Sequence, residues 1–136
     1  MKSAKVELQT ALYNRLNGAL DCEVLDMVEQ NESYPYIEIG EIIENNNAVK
    51  CNRTICTVTF HGWDNGTGSR KNLEQIVDDI LQTVTVSSDP PETKNFLPLT
   101  SFYIVNQFYG SSATIKDLDG MTWHIILTMD FWCEEK

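Results

Sequence analysis

Leu8, Leu12 and Leu16 recur every four positions near the start of the chain, with Ala11 and Ala19 beside them. One apolar stripe of that spacing predicts a helix over residues 4–17. Asn17-Gly18 supplies its stop, because glycine tolerates the left-handed conformation that ends many helices. A second stripe, Leu73, Ile76, Val77, Ile80, Leu81 and Val84, keeps the i, i+3, i+4, i+7 rule. It predicts a helix over 69–84 with Ser69 as N-cap. Between the two stripes the period falls to two. Pro35 bars a helix, and Ile37 and Ile39 alternate with Glu38 and Gly40, which predicts a strand over 36–43. Residues 53–61 are β-branched and aromatic, with Cys56, Val58 and Phe60 on one face of a further strand. Residues 22–28 suit a short strand and a helical turn equally.

The end of the chain is the most regular part. Met121, Trp123, Ile125, Leu127, Met129 and Phe131 fall on one face of a strand, and Thr122, His124, Thr128 and Asp130 on the other. A dozen such residues at ~3.4 Å each span about 40 Å, roughly twice a usual strand. A strand that long bends at a bulge or forms half of a long hairpin. Residues 101–109 predict its neighbour. The Pro-rich stretch 86–98 and the stretch 110–120, which ends in Asp119-Gly120, read as irregular loops suited to contacts with other subunits. One apolar and one polar face imply a sheet covered on one side. The expected fold is therefore α+β: an antiparallel sheet of four to five strands with two helices packed on one face, in a single domain over 1–136.

Charge removes several functions. Among 136 residues, 20 are acidic and 10 basic, a formal net charge of −10. Wrapping nucleic acid needs clustered Lys and Arg, and so does an anionic membrane surface. No stretch reaches the ~18 apolar residues of a membrane span, and the first residues lack the apolar core of a signal peptide. Cys22, Cys51, Cys56 and Cys133 are too dispersed for a disulfide framework, so reduced, mostly buried thiols in an intracellular setting are expected. The sequons at Asn31, Asn52 and Asn65 matter only in a secreted eukaryotic protein.

Candidate chemistry is sparse. The segment Asn65-Gly66-Thr67-Gly68-Ser69-Arg70-Lys71 sits where a strand meets a helix, as a phosphate cradle would. Lys71 stands where G-x-G-x-x-G needs its third glycine, so a turn feeding a helix is the better reading. His61 precedes Asp64 by three residues, a spacing that could orient a general base, but no nucleophile or metal motif accompanies it. The cysteines lack paired C-x₂₋₄-C zinc spacing. No catalytic residue, cofactor or metal is expected. Ile126 and Trp132 are large side chains on the otherwise polar face of the last strand, which marks them as candidate subunit contacts. Trp63, in a turn, is expected to pack locally.

Three segments carry a resemblance. VLDMVEQNESYPYIEIGE (24–41) resembles the pattern V-Y-D-x-V-P-x-N-x-x-x-P-Y-I-x-I-G-E. TICTVTFHGWDNGTGSRKNLEQIVDDIL (54–81) resembles a T-x-x-H-x-W strand end, a short loop and an I-x-x-x-I helix. KDLDGMTWHIILTMDF (116–131) resembles a D-x-x-G-x-T-x-H turn entering a long final strand. In this order the set is similar to the tail completion proteins of long-tailed, non-contractile bacteriophages, also called tail terminators or tail-to-head joining proteins. Leu25, Glu29 and Gly62 depart from the pattern, standing in for Tyr, in for Pro and inside the H-x-W stretch.

The resemblance implies an α+β fold and a ring, most often a hexamer. It implies a structural role: capping the tail tube, then joining the tail to the neck of a filled head. The implied partners are further copies of the chain, the tail tube protein and a neck or head-completion protein, with DNA passing through the ring unbound and no membrane involved. The implied places are the tail–neck junction of the virion and, during assembly, the host cytoplasm. The alternatives are another neck or head-closure protein, or a small ligand-binding or enzymatic α+β domain using His61, Asp64 and the 66–71 loop. Between Leu16 and Val49 there is no Lys or Arg but eight acidic residues. In a ring, carboxylates on the wall repel DNA over about 8 Å at physiological salt. Glu29 and Glu32, in a loop, are the expected lumen-facing pair.

Overall fold

The computed structural model describes residues 2–25, 33–46, 53–84 and 97–136. These form α1 (Lys5–Leu16), β1 (Glu23–Leu25), β2 (Tyr36–Asn46), β3 (Arg53–Asp64), α2 (Ser69–Val84), β4 (Phe102–Lys116) and β5 (Trp123–Glu135). The strands make one sheet in the order β1-β2-β3-β5-β4. The fold is α+β, as expected. The sheet is mixed, because β1 pairs with β2 in parallel while the other pairs are antiparallel. Residues 22–28 thus resolve in part as strand.

The apolar stripes decide which face is covered. Leu8, Leu12 and Leu16 of α1 and Leu73, Ile76, Val77, Ile80 and Val84 of α2 are buried. They join one core with Ile37 and Ile39 of β2, Cys56, Val58 and Phe60 of β3, and Ile125, Leu127, Met129, Phe131 and Cys133 of β5. Gly62 lets α2 sit close. A Cβ there would lie 2.7 Å from Ile125 Cγ2 and 2.9 Å from Ile37 Cδ1, with Leu73 of the helix just beyond. The Gly62 departure from the family pattern therefore has a packing reason.

Tertiary contacts replace a local cap on α1. Ala4 offers no side-chain cap, and the Glu44 carboxylate of β2 accepts the Ala4 N–H at 2.8 Å. An anion at the positive end of the helix also suits the macrodipole. Glu7, in the first turn, accepts the Ser101 N–H at 2.7 Å and so ties α1 to the start of β4.

The expected loop over 110–120 is mostly strand. β4 pairs with β5 from Phe102 opposite Glu135 to Lys116 opposite Trp123. Gly-Ser-Ser has loop composition, but the β5 ladder satisfies its backbone. Register shifts at Val105 and Gly110 take up the extra residues. At Gly110 a Cβ would come within 2.9 Å of the Thr128 carbonyl oxygen, so the bulge there excludes a side chain. The true turn is short. Asp119 accepts the N–H groups of Met121 and Thr122, both at 2.8 Å, and Gly120 adopts φ +74°. Met121, expected on the core face, sits in this turn and is 70% exposed. The long final hairpin is otherwise as the strand length required.

Candidate assembly surface

The face of the sheet away from the helices carries the residues that remain for function. Alternation puts Trp63, His61, Thr59, Thr57 and Ile55 of β3 on it, next to His124, Ile126, Thr128, Asp130 and Trp132 of β5. At one end the rings form a ladder across three strands. Tyr34 stacks on Tyr36 at 5.3 Å between centroids, Tyr36 meets Trp63 at 5.3 Å, and Trp63 lies on His124 at 4.6 Å and 9°. His61 Nδ1 is 3.0 Å from His124 Nε2, and His61 Nε2 is 3.3 Å from Glu41 Oε2. Burial, then the nearby His61, pushes the His124 imidazole below its usual range, against a smaller pull from Asp117. The Glu41 backbone N–H, and less strongly His61, hold the Glu41 carboxyl below the ordinary range. Trp63 packs locally, as expected, but on the sheet face rather than in a turn.

The His61–Asp64 pair does not exist. Three positions apart on one strand, the two side chains point to opposite faces. Asp64 is buried on the helix side, where it accepts from Asn65 N–H at 2.9 Å and Asn72 Nδ2 at 3.3 Å. The 65–71 segment is the turn that starts α2. Ser69 N–H donates to Gly66 O, Asn72 N–H donates to Gly68 O, and Gly68 takes φ +78°. Ser69 is the first residue of α2 rather than its cap.

Among the described residues, no three His, Cys, Asp or Glu side chains converge as metal ligands. Cys56 and Cys133 are buried thiols and Cys22 is half-buried; Cys51 lies outside the described residues. The neighbouring Cys133 sulfur, then burial, pushes the Cys56 thiol up. Burial and the carboxylates of Asp21, Asp79 and Glu23 push Cys22 up to about 11. The Cys56–Cys133 contact also holds the Cys133 thiol below its usual range, against burial. Cys22 and Cys56, both pushed up, are not activated nucleophiles. No helix among the described residues is long and apolar enough to cross a membrane.

Ile126 and Trp132 both stand on the open face, half-buried. Ile126 lies between His61 and Ala113, and Trp132 lies between Ile55 and Asn106 with its ring 5.4 Å from Phe108. Glu29 and Glu32 lie outside the described residues, as do residues 86–96 of the Pro-rich stretch. The end of that stretch is anchored, since Leu97, and Leu99 just after it, are buried in the core.

Sequence reasoning placed a strand over 101–109 but missed its continuation to Lys116 and the exposed apolar side chains of β4. Tyr103, Phe108, Tyr109 and Ile115 are all exposed large hydrophobic side chains on this one strand. The signal was present: residues 97–116 contain no acidic side chain in a strongly acidic chain.

No protein-family model matches the chain. No curated protein matches it. Among solved structures, a chain from the virion of a native gene transfer agent particle is similar with a TM-score of 0.78 and 12% sequence identity, over 98% of this chain and 99% of that chain. At that identity the likeness establishes a common fold from end to end.

Proposed function

We propose that this chain is a structural virion protein that closes the end of a phage tail tube as a hexameric ring and joins it to the neck of a filled head. The observation that carries the reading is the end-to-end likeness to a chain of a virion particle. The tail-completion pattern in segments 24–41, 54–81 and 116–131 supports the finer assignment. The half-buried Ile126 and Trp132 fit subunit contacts on the open face. No catalysis enters the proposal, and the separation of His61 from Asp64 weighs against the enzymatic alternative. The partners are six copies of the chain, the tail tube protein and a neck or head-completion protein, and DNA crosses the lumen without specific binding.

Deleting the gene from its phage genome tests this. The expected products are filled heads and separate tails, with tubes that grow past their normal length. Normally joined particles contradict the proposal. A defect confined to leaking heads, with tails of correct length, moves the chain to head closure.

A further inference from the structure

We infer that Asn65 is a site of spontaneous covalent modification: the Gly66 backbone nitrogen displaces its side-chain amide, leaving aspartate or isoaspartate at the entrance to α2. The inference does not depend on the tail reading above.

The chain contains two Asn-Gly pairs, Asn17-Gly18 and Asn65-Gly66, and one Asp-Gly pair, Asp119-Gly120. In each, the side-chain carbonyl carbon and the next backbone nitrogen can close a five-membered ring, and glycine puts no side chain in the way. The structure separates the three.

Asn65 and Gly66 are both exposed, between the end of β3 and the start of α2. Neither the Asn65 carboxamide nor the Gly66 N–H has a hydrogen-bond partner among the described residues. A Cβ at Gly66 would meet nothing within 4 Å, so ring closure there finds open space. The backbone on either side is held, by Asn65 N–H on Asp64 Oδ1 at 2.9 Å and by Ser69 N–H on Gly66 O at 3.1 Å.

Asn17 is protected by its place at the end of α1. Its ψ is 116°, its N–H donates to Tyr13 O, and the N–H groups of Ala19 and Leu20 both donate to Leu16 O. Closure needs the Gly18 nitrogen eclipsed with Asn17 Cβ, and that extended ψ turns it away. Rotating it would break bonds that finish the helix. Asp119 is protected by its partners. One carboxylate oxygen accepts the N–H groups of Met121 and Thr122, both at 2.8 Å, and the other accepts the Thr122 hydroxyl at 2.5 Å. The Thr122 hydroxyl, then these N–H groups, hold the carboxyl below its ordinary range, and an ionised carboxylate offers no leaving group.

Water is the only co-reactant. Base removes the Gly66 amide proton, the nitrogen bonds to Asn65 Cγ, the Cγ–Nδ2 bond breaks and ammonia leaves, giving a succinimide. Water then opens the ring at Cγ to give aspartate, or at the Asn65 backbone carbonyl to give isoaspartate. Both products add one negative charge. The first turn of α2 has no acidic residue, so the aspartate product sets an anion near the positive end of the helix. The isoaspartate product adds a methylene to the main chain and draws Gly66 O away from Ser69 N–H.

The test ages the full chain in mildly alkaline buffer, folded and, in parallel, unfolded in guanidinium chloride. Peptide mapping by mass spectrometry follows Asn17, Asn65 and Asp119, and an isoaspartyl methyltransferase labels the isoaspartate. In folded protein Asn65 should convert several-fold faster than Asn17, with Asp119 unchanged. In denaturant the two asparagines should converge. Gly66→Ala should slow conversion at Asn65 several-fold while leaving the circular dichroism spectrum as it was. A folded chain in which Asn65 is no faster than Asn17, a ratio of the two rates that denaturant does not change, or a Gly66→Ala chain that converts at the wild-type rate overturns the inference.

Discussion

His61 and His124, on neighbouring strands, hold their rings 5.2 Å apart with only 3.0 Å between Nδ1 of the first and Nε2 of the second. That contact is a hydrogen bond only when one of the two nitrogens lacks a proton. Fully protonating both rings would set two cations and two N–H donors against each other. Glu41 Oε2 lies 3.3 Å from His61 Nε2 on the far side of the pair.

His124 makes stability pH-dependent. The His124 pKa is lowered from 6.5, so below 6.5 the unfolded chain takes up a proton that the folded chain resists. Its contribution is whole above 6.5 and declines as pH falls toward the folded value. Glu41, lowered from 4.5, loses its contribution further down, as pH falls through its folded pKa. Thermal melting across pH should show a stability plateau above 6.5 and a decline below it. His124→Gln should flatten the upper part of that decline. An unchanged slope contradicts the role given to this ring pair.

Close packing at Gly62 has a direct consequence. Gly62→Ala forces a methyl against Ile125 and Ile37 and should cost about 1–3 kcal/mol in urea unfolding, the usual range for overpacking a core. Gly66→Ala, where nothing lies within 4 Å, should leave stability nearly unchanged. Equal effects at the two sites would refute the packing reason for Gly62.

The thiols should be inert. Cys56 and Cys133 are buried, and Cys22 is held protonated at neutral pH, so peptide mapping after brief alkylation of folded protein should find all three largely unmodified. Metal analysis of the purified protein should find no stoichiometric zinc. Rapid labelling of Cys56, or one zinc per chain, contradicts this reading.

In the ring proposed above, Glu29 and Glu32 are the expected lumen-facing pair. Replacing both by Lys should leave ring assembly intact and slow DNA passage in a salt-dependent way, because basic side chains on the wall would bind phosphate with counterion release. Ejection at the normal rate leaves these residues a role in solubility only.

The sequence was most legible where one periodic stripe decides an element. The six apolar positions of α2 predict 69–84, and the helix runs Ser69–Val84. Legibility fell where neighbours decide. β2 and β3 extend to Asn46 and Asp64 because polar and glycine residues at their ends pair across the sheet. Gly110-Ser111-Ser112 reads as loop until the register with Thr128 and Leu127 is known. The meeting of His61 with His124 depends on the pairing of strands 63 positions apart, which no local pattern encodes. The separation of His61 from Asp64, by contrast, follows from strand alternation alone.

The most direct test is a reconstruction of intact particles from the phage that encodes this chain. The predicted result is a closed ring of six copies between the last layer of tail tube and the neck. A single copy, a two-fold dimer at that site, or absence of the chain from the particle would contradict the proposed role.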